Sequence, residues 1–334
     1  MLAVLVLALA ACGTSAPERL APVAQTPDLT PVTVKVGHQA STQWAPLYLA
    51  IERGYFQRLN VDVQLQTLRL GQDPIALVGR GQLDAVVTDF DVAMFNQLAG
   101  GMRFKVAGSM AAIPAEGPPP LVLEVAKPLI DSGQVKTIAD LRGRKIAVDG
   151  GTGSGAGYMA DQVLKKAGIR LKDLTVIDLA SASMEPAVSV HSIDVALAPA
   201  PFATTMEQHG LMAPIGAPPP GDTWSGVLYA EKLGGSPGQR FFEGLVRGAR
   251  DMRGPARTSD DTLPILAKYT GLTVDVLRKM PPYDWDGSLR PDAAALAGLQ
   301  ASYREAGLLK YDVDLAPSRL VDTAYSKRAA TAVH

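Results

Sequence analysis

The most constraining feature of this chain is an order of segments, strand then helix then strand, that is set down twice. Val32-Thr33-Val34-Lys35-Val36 alternates as a half-buried strand does and stops at Gly37-His38-Gln39. Residues Trp44 to Arg53 then carry apolar side chains at helical spacing, with Pro46 in a first turn that needs no amide partner and Gly54 as the stop. A strand over Val61 to Leu65 comes next, then a helix capped by Asp73 with Pro74 at its first position, then the buried strand Ala85-Val86-Val87. The alternation restarts at Leu121-Val122-Leu123 and runs on through Lys145 to Asp149, Tyr158 to Lys166, Thr175 to Leu179 and Val195 to Ala198. This rhythm predicts an α/β protein with two mixed, mainly parallel sheets, each flanked by helices. From Pro237 onward the pattern is nearly all helix, opened at Ser236-Pro237, Pro291 and Pro317, and it must pack on a domain already built; the first lobe is the predicted host.

The two halves echo each other. Leu83-Asp84-Ala85-Val86 ends in the turn Thr88-Asp89-Phe90-Asp91, and Ile193-Asp194-Val195-Ala196 ends in Ala198-Pro199-Ala200-Pro201, with a helix after each. Ligands of open α/β sheets bind beyond the carboxyl ends of strands, so two such loops facing one another predict a cleft between lobes. The chain is predicted to cross between lobes near Pro120 to Val125 and again near Trp224 to Tyr229. Lobe one is then residues 32–120 with 226–334, and lobe two is residues 121–225.

At 334 residues, two cores of about 150 residues each are expected, and 47% hydrophobic content supplies them. Lys and Arg total 32 against 33 for Asp and Glu, which argues against a nucleic-acid partner. One Cys and four scattered His leave no disulfide and no metal cage, so no metal or other cofactor is expected.

Residues 1–11 (MLAVLVLALAA) are uncharged and far short of the ~20 residues a membrane span needs, which fits the apolar core of a signal peptide. They run into Leu9-Ala10-Ala11-Cys12-Gly13, which resembles the bacterial lipobox; by that resemblance Cys12 is lipidated and becomes the mature N-terminus. An ordinary secretory signal with a chance Cys is the alternative, and no Lys or Arg precedes the apolar run. Residues 12–31 carry Pro17, Pro22, Pro27 and Pro31 and read as a tether.

The stretch Gly150 to Gly157 comes after a strand and opens a helix, yet it fails the phosphate-loop and dinucleotide spacings, with Ala156 standing where Lys or Gly is needed. What remains is a turn presenting amides and the Ser154 hydroxyl at a helix N-terminus, or a plain strand-to-helix turn.

Trp44-Ala45-Pro46-Leu47-Tyr48-Leu49-Ala50-Ile51-Glu52-Arg53-Gly54-Tyr55-Phe56, then Gly81-Gln82-Leu83-Asp84-Ala85, resembles the opening of ABC-transporter substrate-binding proteins of the nitrate/sulfonate/taurine type. Asp140-Leu141-Arg142-Gly143-Arg144-Lys145-Ile146-Ala147-Val148, Gly153-Ser154 and Lys268-Tyr269-Thr270-Gly271-Leu272 are similar to that family in the same order. Asn60 replaces the usual Gly of one turn, and Asn tolerates a left-handed backbone. The resemblance implies a two-lobed type II periplasmic binding-protein fold, a monomer anchored outside the cytoplasmic membrane by lipid alone. It would close on a small solute and deliver it to an ABC permease and its ATPase.

By position, the resemblance implies a cleft lined by His38, Gln39, Trp44, Thr88, Asp89, Asp91, Ser109, Gly153, Ser154, Ser183 and Pro199 to Pro201, with Trp224 as a hinge-side wall. No Lys or Arg is among them, so Asp89 and Asp91 predict a neutral, zwitterionic or amine-bearing solute unless both are helix caps. Trp44 either stacks on a flat ligand or staples a helix to the core, and His38 is either a ligand donor or a satisfied strand-end residue. Enzymes of the thiamine-pyrimidine or menaquinone-precursor type resemble the same family, but no catalytic Ser/His/Asp pattern is present, and catalytic residues are expected to be none. A lipid-anchored sensor stays open as a further alternative.

Overall fold

A computed structural model describes residues 29–68 and 72–333. The signal segment, Cys12 and nearly all of the predicted tether lie outside these residues.

Among the described residues ten strands form two five-stranded sheets. The first holds β1 (Val32–His38), β2 (Val61–Thr67), β3 (Ala85–Asp89), β4 (Phe104–Ser109) and β10 (Ser225–Ala230), in the order β2-β1-β3-β10-β4. The second holds β5 (Leu121–Ala126), β6 (Lys145–Val148), β7 (Thr175–Asp178), β8 (Val195–Pro199) and β9 (Met212–Gly216), in the order β7-β6-β8-β5-β9. The orders superimpose. In each sheet the fourth position is an antiparallel strand, β10 or β5, and it is the first strand laid down after the chain arrives from the other sheet. The architecture is a two-lobed type II periplasmic-binding fold.

The sequence echo has a physical cause. Asp84 precedes β3 and its carboxylate accepts the Lys35 amide of β1 at 2.7 Å, while the Asp84 amide donates to the Lys35 carbonyl at 2.9 Å. Asp194 precedes β8 and makes the same two bonds with Lys145 of β6, both at 2.9 Å. Each aspartate therefore registers the central strand of its lobe against the neighbour, closing amide and carbonyl groups that a strand end leaves open.

Helix boundaries are set by their caps. The helix Ala45–Glu52 has Pro46 in its first turn, and Asp73 accepts the Ile75 and Ala76 amides to start Pro74–Gly79. Asn60 adopts the left-handed conformation expected of it, φ 52°. The tail contains the helices Ser236–Asp251, Leu263–Thr270, Val274–Lys279, Ala293–Glu305, Pro317–Leu320 and Ala324–Ala332. One start differs from expectation: Asp292, not Pro291, begins a helix, because its carboxylate caps the Ala294 and Ala295 amides.

The tail also reaches the second lobe. Arg170 grips the buried Asp161 carboxylate at 2.6 Å and pairs with Glu305 of Ala293–Glu305, and Ser302 donates to Asp161 at 3.2 Å. That helix is thus a strut between lobes as well as a cover for the first.

Two segments join the sheets, residues 110–120 and 217–224. They run side by side, Ile113 donating to the Asp222 carbonyl at 3.0 Å and Gly221 donating back to the Ile113 carbonyl at 2.8 Å. Each carries a proline triplet, Pro118 to Pro120 and Pro218 to Pro220, next to a glycine of positive φ, Gly117 at 86° and Gly221 at 84°.

Candidate functional site

A cavity of about 630 Å³ lies between the sheets. Its wall is built from the segments at the carboxyl ends of the parallel strands of both lobes: Gln39 to Trp44 after β1, Thr88 to Asp91 around the end of β3, Asp149 to Ser154 after β6, Ala180 to Ala182 after β7, and Pro199 to Phe202 after β8. Leu121 and Trp224 complete it from the starts of β5 and β10, which run the other way and so begin at the same edge. This is the edge where open sheets bind ligands.

Asp89 ends β3 at the meeting of the lobes. Gly155 opens the helix Gly155–Lys165 opposite, and a β-carbon there would fall 2.5 Å from Trp224 Cδ1 and 3.2 Å from Asp89 Cβ. Only glycine permits that approach. Burial pushes the Asp89 carboxyl up to about 7, with the Asp91 and Asp149 charges acting the same way and the Trp224 indole acting against them. Burial pushes Asp91 to about 6 despite its hydrogen bonds, of which Oδ1 to the Met94 amide at 2.8 Å caps the helix Val92–Ala99. Asp149 reaches from β6 to the turn after β7, its Oδ2 accepting the Ser181 amide at 3.0 Å and hydroxyl at 2.9 Å.

Aromatic rings close the wall. Trp44 is 3% exposed and its Nε1 has no hydrogen-bond partner; Gln43 Oε1 beside it is likewise buried and unpartnered. Trp224 meets Tyr283 edge to face at 5.9 Å between centroids, and burial raises the Tyr283 hydroxyl pKa well above its usual value. Among the described residues neither Lys, Arg, His nor Cys lines the cavity.

Over residues 41–215, just over half of its length, the sequence matches the family model described as NMT1/THI5 like. The chain belongs to the NMT1/THI5-like family. No curated protein matches it in sequence. Among solved structures, this NMT1/THI5-like chain is similar to the alkanesulfonate-binding protein SsuA from Xanthomonas axonopodis pv. citri bound to MOPS, with 20% identity, 88% of this chain and 99% of that one covered, and a TM-score of 0.67. It is similar to the periplasmic nitrate-binding protein NrtA from Synechocystis PCC 6803 at 13% identity, covering 90% and 89%, with a TM-score of 0.70. It is also similar to the desulfurization enzyme DSZB at 13% identity, covering 90% and 100%, with a TM-score of 0.60. At these identities the likeness is one of fold, and the fold carries binding proteins and an enzyme alike.

Ten residues expected at the cleft of the NMT1/THI5-like chain stand on the cavity wall: Gln39, Trp44, Thr88, Asp89, Asp91, Ser154, Pro199, Ala200, Pro201 and Trp224. Four do not. His38 turns inward, its Nδ1 2.9 Å from the Tyr48 hydroxyl and its Nε2 3.1 Å from Thr67 Oγ1, and burial lowers its pKa. Ser109 faces a separate recess and accepts the Asp292 amide at 2.9 Å. Gly153 packs where a β-carbon would lie 2.7 Å from Val92 Cγ1, and Ser183 sits just past the lining pair Ser181 and Ala182. The Ser154 hydroxyl is on the wall but occupied: it accepts the Gly157 amide at 3.0 Å as the helix cap and donates to backbone carbonyls at 2.8 Å.

Sequence reasoning missed Asp149, Ser181, Met280 and Tyr283. Asp149 carried the strand-end signal already used for Asp89. Met280 and Tyr283 lie just after the short helix Val274–Lys279 and had no periodic signal to place them.

Proposed function

We propose that this protein is the extracytoplasmic solute-binding component of an ABC importer, holding a small organic solute between its lobes and handing it to a permease worked by an ATPase. One observation carries the reading: the cavity of about 630 Å³ between the sheets is walled by the carboxyl ends of the strands of both lobes, so a molecule bound there is gripped from two sides. The lobes in this reading are residues 32–120 with 226–334, and residues 121–225. The likeness to SsuA and NrtA, an alkanesulfonate-binding and a nitrate-binding protein, supports it. Among the described residues the wall has no His, Lys, Arg or Cys and so offers no nucleophile with an adjacent strong base, which favours holding over converting a ligand.

Anchoring is inferred from the lipobox resemblance at Cys12, which places the protein on the outer side of the cytoplasmic membrane or in the periplasm. Among the described residues no helix is long and apolar enough to cross a membrane. The test is mass spectrometry of small molecules released when the natively isolated chain is denatured. One species near equimolar amounts supports the reading; turnover of that species by the folded chain, without retention, contradicts it.

A further inference from the structure

We propose that the solute is a cation, a protonated amine that bridges Asp89 of the first lobe and Asp149 of the second and so draws the lobes together. This deepens the solute-binding reading above and rests on it.

Among the described residues the wall carries three carboxylates, Asp89, Asp91 and Asp149, and no basic side chain. Among the described residues none of the three has an ion pair within 4.0 Å. They feel one another: the charges of Asp91 and Asp149 both raise the Asp89 carboxyl. Like charges facing one cavity without a counter-ion are a cost, relieved either by a proton on Asp89 or by a cation entering the cavity, and a bound cation displaces that proton. Asp91 is committed in part to its helix cap, and Asp149 keeps one oxygen outside its bonds to Ser181. The other titratable groups whose interactions reach Asp89 are Tyr283 and Tyr303, and both stay protonated because burial raises them further.

The obvious competitor is an oxyanion at the N-terminus of Gly155–Lys165, since free amides and the helix dipole favour negative charge there. That place is taken by the protein itself. Asp89 Cβ stands 3.2 Å from where a Gly155 β-carbon would be, so the field of the helix end falls on a built-in carboxylate. An anionic solute would have to share it with Asp89.

A second, independent feature points to a ligand. Trp44, 3% exposed on the same wall, keeps an indole N–H with no partner, and Gln43 Oε1 is a buried acceptor with none. Buried polar groups are rarely left so. The amine therefore carries an oxygen acceptor as well, placed toward Trp44. A metal ion does not fit, because no group of three or more His, Cys, Asp or Glu among the described residues converges tightly enough to hold one.

The experiment is titration calorimetry of the full chain with matched probes: ethanolamine against isethionate, and tyramine against 4-hydroxybenzenesulfonate. The amines should bind and the sulfonates should not, and amine binding near pH 7 should release a fraction of a proton as Asp89 gives up its own. Asp89→Asn should abolish that release and weaken the amines about thirtyfold or more. Trp44→Phe, which keeps the ring and removes the N–H, should weaken them severalfold. If Asp89→Asn does not fold, the wild type decides: amine affinity should fall from pH 8 to pH 6, and a flat profile overturns the proposal. Binding of the sulfonates in preference to the amines overturns the cation and leaves solute binding standing. A neutral or anionic molecule released from the native chain does the same. If neither probe class binds and the native chain releases nothing, both readings fall.

Discussion

Asp89 and Ser225 are register partners in the antiparallel ladder of β3 and β10. The strand that returns the chain from the second lobe therefore starts beside the carboxylate on the cavity wall, with Trp224, one residue earlier, accepting the Phe90 amide at 2.7 Å. The crossing between lobes and the ligand wall are one piece of structure, so a rotation about the crossing is felt at Asp89 without any intermediary.

Gly155→Ala tests that contact. The added methyl would lie 2.5 Å from Trp224 Cδ1, which no packed structure accepts, while alanine itself favours the helix by about 1 kcal/mol. The clash outweighs that gain, so the variant should melt lower than the wild type, bind its solute at least about tenfold more weakly, and show by small-angle scattering a radius that no longer shrinks on binding. Normal compaction would contradict the account.

The paired crossings are stiffened by their proline triplets. Proline fixes φ near −65°, so among residues 117–120 and 218–221 the φ angles left free are those of Gly117 and Gly221, which stand at 86° and 84° in open space. Alanine at either should cost about 1 kcal/mol from backbone strain alone, visible as a lower melting temperature, and should slow solute-induced closure in stopped-flow fluorescence of the tryptophans. Unchanged stability in both variants would mean the glycines carry no strain.

Glu124 is fully buried on β5, and burial with the Glu207 carboxylate beside it pushes its pKa to about 9. An unfolded chain gives up this proton near 4.5 and the folded one only near 9, so Glu124 subtracts stability as pH rises through that window and nothing below it. Glu124→Gln should raise stability by about 2 kcal/mol at pH 8 and change little at pH 4. Equal effects at both values, read by denaturant melts, would contradict this.

His38 is an internal fastener. His38→Ala would remove the ring that meets the buried Tyr48 hydroxyl and Thr67 and should cost about 2 kcal/mol of stability while changing solute affinity less than about threefold. A large loss of affinity at unchanged stability would return His38 to the ligand wall.

The fold was legible because its signals are local and repeated: alternating β-branched runs, Asp73 and Pro74 at a helix start, and the aspartates 84 and 194 that begin equivalent strands. The cavity wall was legible where it coincides with a strand end, as at Gln39, Thr88, Asp89 and Pro199. It was misplaced where one residue decides the face. Ser109 faces a separate recess at the end of its strand, His38 points inward toward Tyr48, and Ser183 is two residues beyond Ser181 on a tight turn. Tyr283 was invisible because an irregular segment of the tail has no period, and only the packing of that tail brings it to Trp224.

The central claim is that one molecule is held by both lobes at once, and hydrogen exchange measures it most directly. The solute released from the native chain is added back to the stripped full chain, and amide exchange is monitored by mass spectrometry. Slowed exchange should appear together at residues 39–44 and 88–91 of the first lobe and at 149–156 and 180–182 of the second. Protection confined to one lobe, or centred away from the cavity, would contradict the account.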